Sequence, residues 1–415
     1  MSDAPFTAPP PPDSASARTA QVVIAIQALR ALTYGFGAVL LGEVLASQGL
    51  SDTVVGGIFT AMLMGMALGS QAVGRWADLV GRRRTYRALF AILGLAGAAF
   101  ALSGWPPLLI AAALTGTLST DANESGPITS LEQTMLSGVE ARARPRVFGR
   151  YNAVAYLFGS LGALTAGGPT ALRHLLPTAP ADQRWLLAYP IAAVACMFLT
   201  HRLPMEVEGP RRAGRKPGLV RSRANVRRLA GLFSVDAFGG GLVVQSFIVF
   251  WFVRRYGASI ELMGVVFFAV GLLQAVSSLV AANVARRIGL LNTMVFTHLP
   301  SNVLLGAVAL MPALPLAIAA LLGRSALSQM DVPARQAYIA EMVDPEERIA
   351  AIATTNSARY VARPLGPVAA GSLMQRVALA APFLAAGGIK IAYDLVLYWR
   401  FRGVVEDSRS HPTGG

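Results

Sequence analysis

The sequence predicts an all-α membrane protein whose twelve helices form two six-helix bundles. Three observations lead to this fold class: apolar runs long enough to cross a bilayer, basic residues gathered on alternate connecting segments, and a residue pattern that recurs in the second half of the chain. Of the 415 residues, 54% are hydrophobic and only 14% are charged, whereas about a quarter of the residues in a soluble domain are charged. This composition provides too little polar surface to cover a water-soluble globule of this size.

The apolar residues fall into twelve runs, each close to the roughly twenty residues that a helix needs to cross about 30 Å of hydrocarbon. The runs lie at 20–46, 53–74, 85–104, 107–136, 147–172, 185–203, 228–254, 260–284, 290–311, 313–342, 348–375 and 378–401. We expect a disordered tail over 1–18, an N-terminal bundle over 19–203, a basic linker over 204–227, a C-terminal bundle over 228–402 and a tail over 403–415.

The positive charges are distributed unequally between the two sets of connecting segments. If the runs alternate direction from the N-terminus, one side receives 25 of the 36 Lys and Arg residues and the other receives five. Cytosolic loops carry such an excess, so both termini are expected in the cytosol of a protein that crosses the cell's plasma membrane many times. The net charge of +14 then reflects topology and contact with the lipid bilayer, and we expect no nucleic-acid partner.

An internal repeat supports the division into six plus six runs. Four positions in the fifth run match four in the eleventh at a constant offset of 204: Asn152, Tyr156, Gly162 and Gly167 against Asn356, Tyr360, Gly366 and Gly371. Many secondary transporters build two halves around a central site in this way. The pattern predicts two bundles related by pseudo-two-fold symmetry.

The segment between the second and third runs carries a recognisable motif, Gly74-Arg75-Trp76-Ala77-Asp78-Leu79-Val80-Gly81-Arg82-Arg83-Arg84. It resembles the loop signature of the major facilitator superfamily, G-x-x-x-D-x-x-G-R-[RK]-[RK], at every defining position. The resemblance implies the fold of that superfamily and transport of a small solute by alternating access.

The resemblance also implies a conformational latch, formed by Gly74, Asp78, Gly81, Arg82 and Arg83. In the family, the motif carboxylate is thought to join the halves at the cytosolic side through the loop arginine and the start of helix eleven. Gly74 would allow close helix approach, and Gly81 would relax the backbone for a tight turn. The equivalent segment of the second half has Arg286 in place of the acid. We therefore expect the latch of the first half to hold the two halves together without a second one.

Several ionisable residues fall within the apolar runs, where a charge is costly unless it faces a cavity or a partner. Arg359 and Arg363 share one helical face because they are four residues apart. Either they line a cavity for an anionic substrate, or they pair permanently with Asp121, Glu124 or Asp331. The substrate-binding candidates are Arg30, Tyr34, Arg335, Asn356, Arg359, Tyr360 and Arg363.

Three acids in the fourth and tenth runs, Asp121, Glu124 and Asp331, are the candidates for proton coupling. Lys390 and Asp394 have the spacing of a local ion pair. A further group of small or helix-bending residues is expected to serve helix packing and bending. This group comprises Gly65, Gly69, Gly162, Gly366, Pro367 and Gly371.

These features favour a secondary transporter that exports a small organic molecule, or exchanges it, with proton coupling. The alternative is an importer or exchanger of an anionic metabolite, a carboxylate or phosphate ester, bound by the intramembrane arginines. A remote alternative is a non-transporting membrane sensor on the same scaffold. The sequence contains no P-loop, catalytic triad or metal-ligand spacing, so we expect a monomer that is not an enzyme and has neither cofactor nor metal.

Overall fold

The computed structural model of the protein describes residues 14–121, 126–137, 144–180, 183–208, 222–343 and 347–410. Across these ranges the chain forms α-helices joined by short connections, with 3-10 turns at Gln183–Leu187 and Met205–Val207. The helices are α1 (Ser14–Ser47), α2 (Asp52–Val80), α3 (Arg82–Leu102), α4 (Pro106–Leu114), α5 (Pro127–Leu136), α6 (Arg144–Thr165), α7 (Gly168–Leu175), α8 (Ala188–Thr200), α9 (Arg223–Gly241), α10 (Gln245–Tyr256), α11 (Ile260–Ile288), α12 (Leu290–Leu310), α13 (Leu314–Leu327), α14 (Asp331–Met342), α15 (Arg348–Ala362), α16 (Leu365–Arg376) and α17 (Ala381–Ser410).

The helices follow the order of the twelve predicted runs. Spans 1, 2 and 3 are α1, α2 and α3; span 4 is α4 with α5, span 5 is α6 with α7, and span 6 is α8. Span 7 is α9 with α10, spans 8 and 9 are α11 and α12, span 10 is α13 with α14, span 11 is α15 with α16, and span 12 is α17. In the described residues, eight stretches of helix are long and apolar enough to cross a membrane, and they correspond to spans 1, 2, 3, 6, 7, 8, 9 and 12.

The remaining four spans, 4, 5, 10 and 11, are each divided into two helices and occupy equivalent places in the two halves. Span 7 is divided as well. Local sequence explains part of this: Pro127 begins α5, and Gly116 after α4 has a positive φ of 68°. A proline lacks the N–H that would continue the preceding helix, and a glycine reaches positive φ without a steric penalty.

Two equivalent crossings show the pseudo-two-fold relation directly. Gly35 in span 1 lies against the carbonyl of Gly159 in span 5, and Gly241 in span 7 lies against the carbonyl of Arg363 in span 11. A Cβ at either glycine would collide with that backbone, so both crossings need a residue without a side chain. Gly162 and Gly366 complete the same two crossings, against Leu32 and Gly241 respectively.

The contacts that join the halves have the same symmetry. Span 2 packs on span 11, where Gly56 meets the carbonyl of Pro367 and Gly371 meets the carbonyl of Asp52. Span 8 packs on span 5, where a Cβ at Gly264 would lie 2.7 Å from the carbonyl oxygen of Ala163. We call these two contacts the seam.

The seam lies toward one end of the molecule. We call the end with the turns at Gly81 and Gly289 the basic end, and the end with residues 48–51 and 257–259 the opposite end. Asp52 and Arg254, both at the opposite end, form an ion pair 3.4 Å long between the halves. At the basic end, no ion pair between two described residues joins the halves. The halves therefore meet at the opposite end.

Within the first half, Gly65 lies against the backbone of Leu114 and Gly116 at the break of span 4, and a Cβ at Gly69 would sit 3.1 Å from the ring of Pro127. The breaks of span 4 are thus packed against glycines of span 2. The bundle limits remain predictions. Helix α9 begins at Arg223 and α17 continues to Ser410, several residues beyond the expected limits; residues 1–13 and 209–221 lie outside the described ranges.

Candidate functional site

A cavity of about 290 Å³ lies between the halves, surrounded by the broken spans. Most of its lining comes from the second half, whereas Asp121 and Tyr156 come from the first. Among the described residues, its charged lining consists of three carboxylates and five permanent cations: Asp121, Asp236 and Asp331 against Arg324, Arg335, Arg359, Arg363 and Lys390. His298 also lines it. The excess of cations makes the cavity a favourable place for an anion.

The breaks of spans 4 and 7 meet at the wall of this cavity. The backbone N–H of Gln245, at the start of α10, donates to the Asp121 carboxylate at 2.8 Å, and the N–H of Ser246 donates to the carbonyl of Thr120 at 3.0 Å. A carboxylate is favoured at a helix N-terminus, where backbone N–H groups lack partners within the helix. Asp121 therefore fixes where α10 begins.

Arg363 lies at the break between α15 and α16 and forms an ion pair with Asp121, 2.8 Å between Nη2 and Oδ2. This contact joins span 11 of the second half to span 4 of the first. Both side chains keep partial exposure, 32% for Arg363 and 25% for Asp121. The sequence left two roles open for Arg359 and Arg363, lining a cavity for an anion or pairing with an acid. Arg363 has the second role, because its ion pair with Asp121 joins the two halves.

A buried charge cluster lies on the second-half side of the cavity. The Lys390 ammonium contacts the Asp236 carboxylate at 2.5 Å, and Arg335 lies 3.6 Å from Asp236 and 3.0 Å from Asp331. The local pair expected between Lys390 and Asp394 was wrong, because Lys390 reaches across to span 7. Arg335 lines the cavity as predicted, yet two carboxylates neutralise it.

His298 belongs to the same cluster and was missed in the sequence. Its Nδ1 lies 2.8 Å from Oδ1 of Asp394, its Nε2 lies 3.9 Å from Oδ1 of Asp236, and Asn302 donates to Oδ2 of Asp394 at 2.9 Å. The available signal was Asp394, a lone carboxylate in an apolar helix, which needs a donor from another span.

Arg359 and Arg324 hold the cavity's unneutralised charge. Among the described residues, no carboxylate oxygen lies within 4 Å of either guanidinium, and Nε of Arg324 is buried without a hydrogen-bond partner. Arg359 was predicted from its spacing to Arg363, whereas Arg324 was not. An unpaired guanidinium is a ready bidentate donor to a carboxylate or phosphate.

The other predicted cavity residues lie elsewhere. Arg30 is 3% exposed and pairs with the fully buried Glu132 at 2.6 Å, and the hydroxyls of Tyr86 and Tyr151 donate to the same carboxylate, each at 2.6 Å. The prediction that Arg30 lines the cavity was therefore wrong.

Tyr34 is also turned away from the cavity, because its hydroxyl donates to the carbonyl of Thr117. Asn356 and Tyr360 flank Arg359 along the helix but are not part of the lining. Of the proton-coupling candidates, Asp121 and Asp331 line the cavity, and Glu124 lies outside the described residues.

The loop motif of the first half makes its contacts within that half. Arg82 pairs with Asp78 at 2.7 Å, and the Glu208 carboxylate accepts the backbone N–H groups of Arg82 at 2.6 Å and Arg83 at 3.1 Å. Gly81 has a φ of 103°, which an L side chain rarely adopts. A Cβ at Gly74 would meet open space, so the close helix approach expected there is absent. A latch between the halves stays a prediction.

Comparison with known proteins identifies the family to which the chain belongs. The family model described as Major Facilitator Superfamily matches residues 23–328 and 232–415, which together span nearly the whole chain. The chain belongs to the major facilitator superfamily. It is therefore a membrane protein with the fold of secondary transporters, as the loop motif predicted.

Relatives within this superfamily are distant in sequence. The chain is 24% identical over 413 residues to the uncharacterized membrane protein YJR124C of Saccharomyces cerevisiae, covering 91% of this chain and 92% of that protein. The crystal structure of the nucleoside transporter NupG is similar with a TM-score of 0.71 at 13% identity, over 93% of this chain and 99% of NupG. That of the human organic anion transporter MFSD10 (TETRAN) is similar with a TM-score of 0.61 at 20% identity, over 94% and 100%.

Proposed function

We propose that the chain is a secondary transporter of a small organic anion, which binds in the cavity between the halves. The observation that carries this proposal is the charge of the lining, in which the described residues contribute five permanent cations against three carboxylates. Arg359 and Arg324 are free of carboxylates within the described part of the chain. A neutral or cationic substrate would leave both guanidinium groups uncompensated in a low-dielectric site, which is costly.

The geometry suits an anion with a planar carboxylate, a phosphate or a sulfonate head. A guanidinium presents two parallel N–H donors to such a group, and two guanidiniums clamp it from separate spans. Here Arg324 belongs to span 10 and Arg359 to span 11. The similar structure of MFSD10 is that of an organic anion transporter, which agrees with this substrate class.

Transport would proceed by alternating access. The seam closes the opposite end, and the arginine-rich loops mark the basic end as cytosolic, so the conformation described here would expose the cavity to the cytosol of a cell whose plasma membrane holds the protein. The arrival of an anion would compete with Asp121 for Arg363. Loss of that ion pair would loosen the contact between spans 4 and 11 and allow the opposite end to open.

A thermal-unfolding screen of the purified, detergent-solubilised protein tests the proposal. The ligands are benzoate, benzenesulfonate and glucose 6-phosphate as anions, with tetraphenylphosphonium as the cation. A ligand at about one hundred times its Kd adds roughly 2.7 kcal/mol to the free energy of unfolding. We expect at least one anion to raise the melting temperature, and Arg359→Gln to abolish that rise.

The matched control is Arg376→Gln, because Arg376 is an exposed arginine in the same span as Arg359. It should retain the rise produced by the anion. Stabilisation by tetraphenylphosphonium alone, unchanged in Arg359→Gln, would contradict the anion proposal and favour the exporter of drug-like molecules that the sequence suggested. Direction is then measured as uptake of the stabilising anion into liposomes with an imposed pH gradient.

A further inference from the structure

Among the described residues that line the cavity is a histidine, His298 on α12 in span 9, and imidazole is a side chain that commonly exchanges protons in proteins. Its side chain is nearly buried, at 6% exposure, yet it reaches the cavity lining. Two carboxylates flank the imidazole, Asp394 at Nδ1 and Asp236 at Nε2, at 2.8 and 3.9 Å. The imidazole therefore lies between two carboxylates at the wall of the cavity.

The hydrogen bonds fix where a proton would bind. An ionised carboxylate only accepts hydrogen bonds, so the 2.8 Å contact with Asp394 favours the tautomer with a hydrogen on Nδ1 of His298, and the amide nitrogen of Asn302, 3.1 Å from the same Nδ1, then donates to Asp394 instead. Asn302 donates to the other oxygen of Asp394 at 2.9 Å and holds that carboxylate in place. The lone pair of Nε2 is left facing Asp236, and a proton taken up from the cavity binds there.

The charged groups around His298 determine what its protonation does to anion binding. Charged or titratable groups face His298 from every helix packed on α12 except α11, whose charged residues lie in its first and last turns. They are Lys390, Tyr393 and Asp394 on α17, Asp236 on α9, Asp331 and Arg335 on α14, and Arg324 on α13.

Of these groups, three are carboxylates, Asp236, Asp331 and Asp394. Lys390 and Arg335 contact them directly, and Arg359 adds a third cation to the same field. Arg324, which no carboxylate contacts among the described residues, is a fourth. Protonation of His298 adds a positive charge to a group that already holds more cations than carboxylates, which strengthens the attraction for an anion.

The proton-coupling candidates from the sequence are less suited to this role. Asp121 accepts hydrogen bonds from the Arg363 side chain and the backbone of Gln245, and Asp331 accepts one from Arg335 at 3.0 Å. Both acids already pair with a guanidinium, whereas Nε2 of His298 makes no hydrogen bond with another described residue.

We propose that His298 is the proton-binding site that couples proton binding to anion binding, so that one proton and one anion occupy the cavity together. The inference rests on the proposed function, because it requires that an anion bind there. It fixes the sign of the coupling: proton and anion travel in the same direction. Linkage is reciprocal, so low pH tightens anion binding and anion binding draws a proton onto the protein.

The test uses the full-length protein in detergent and two anions that stay fully ionised between pH 6 and 8, benzoate and benzenesulfonate. Affinity is measured by isothermal titration at pH 6 and pH 8, and proton uptake with a pH indicator in weak buffer. We expect the affinity to be at least about fivefold higher at pH 6. One proton should be taken up per anion bound near pH 7.

Variants assign the effect to His298. His298→Gln should bind the anion with the same affinity at both pH values and without proton uptake. His174→Gln is the control, since His174 is exposed outside the cavity, and it should keep the full pH dependence. Asp394→Asn removes a flanking charge and should move the change in affinity to lower pH. If His298→Gln fails to fold, proton uptake by the unmodified protein still decides the question.

The outcomes separate this inference from the function on which it rests. Anion binding that is equal at pH 6 and pH 8, with no proton uptake, would overturn the role of His298 and leave anion transport standing. Unaltered pH dependence in His298→Gln would do the same. No anion binding at either pH would overturn the proposed function, and this inference with it.

Discussion

Two networks of charged side chains are buried in this protein, one in each half, and they differ in what they can do. In the first half, Glu132 accepts hydrogen bonds from Arg30, Tyr86 and Tyr151 away from the cavity, and Nε of Arg30 is buried without a partner among the described residues. In the second half, the network around Asp236 borders the cavity and shares residues with its lining. Only the second can respond to a substrate, so the first is expected to stabilise the bundle.

The first-half network gives a prediction on stability. Removing one partner of a buried pair leaves the other charge without compensation and costs about 3–5 kcal/mol, whereas replacing both by apolar residues is often near neutral. Glu132→Leu should lower the melting temperature of the detergent-solubilised protein markedly. The double variant Arg30→Met with Glu132→Leu should recover most of the loss. Equal destabilisation by the single and double variants would show that packing, and not charge, holds this site together.

Asp121 gives a second prediction at the residue scale, tied to the proposed function. Its carboxylate pairs with Arg363, so Asp121→Asn removes one negative charge from the cavity lining and strengthens the attraction for an anion. We expect the affinity for benzoate, measured by titration at fixed pH, to rise several-fold, within the range of about 5–150-fold typical of coupled sites. Weaker binding would mean that Asp121 positions α10 for the substrate and that its charge is secondary.

The sequence predicted correctly that arginines of span 11 line the cavity, but the same prediction failed for Arg30 of span 1, and the difference has a physical reason. Arg359 and Arg363 fall in a span with polar residues on one side, which marks a face. Span 1 is apolar, and neighbouring helices cover it on almost every side, so that 72% of its apolar central stretch is buried. Its periodicity therefore gives no facing direction, and Arg30 could not be assigned. His298 was missed because its partners lie 62 and 96 positions away along the chain, on α9 and α17.

At the scale of the helices, the number and order of the spans followed from hydropathy, but the breaks did not. The breaks of spans 4, 7, 10 and 11 place Asp121, Arg363 and their neighbours on helix ends at the cavity. Broken helices expose backbone groups at membrane depth only where these line a cavity or meet protein. Such breaks depend on contacts between halves, as in the Thr120 and Ser246 pair, and those contacts are not local in sequence.

The seam gives a prediction at the same scale from two adjacent glycines of span 2. A Cβ at Gly56 would collide with the backbone of Pro367, whereas a Cβ at Gly57 would meet nothing within 4 Å. Gly56→Val should therefore prevent the opposite end from closing, and Gly57→Val should not. Both substitutions introduce the same β-branched residue into the same helix, so helix propensity cancels in the comparison.

A cysteine reporter measures the change. The chain has a single native cysteine, Cys196, which is replaced by serine, and Gln329 in the cavity lining is replaced by cysteine. An impermeant maleimide added from the basic end should label this cysteine in the otherwise unmodified protein and in Gly57→Val. Labelling should fall several-fold in Gly56→Val. Equal labelling in all three proteins would show that the seam does not govern access to the cavity.

At the scale of the whole molecule, the two halves share a backbone arrangement but not their charges. The turns at Gly81 and Gly289 both have positive φ, 103° and 88°, and the glycine crossings repeat. Yet the position equivalent to Asp78 is occupied by Arg286 in the second half, and the position equivalent to Gly159 is occupied by Arg363. The pseudo-symmetry provides two similar surfaces that can rock across each other, and the asymmetry decides which conformation each charge stabilises.

A substitution of the motif carboxylate, Asp78, tests whether the charges of the two halves stabilise different conformations. In this conformation the ion pair that Asp78 makes with a described residue is with Arg82 in its own half, and Asp78 is one-third exposed; an exposed ion pair contributes about 0–1 kcal/mol. Asp78→Asn should thus leave the melting temperature nearly unchanged. If Asp78 joins the halves when the basic end closes, the same change should favour the open basic end and raise the labelling of the Gln329→Cys reporter. Arg286→Ala, at the equivalent place in the second half, should not. A marked loss of stability in Asp78→Asn without any change in labelling would make the motif a structural support of the first half and would leave closure of the basic end to other contacts.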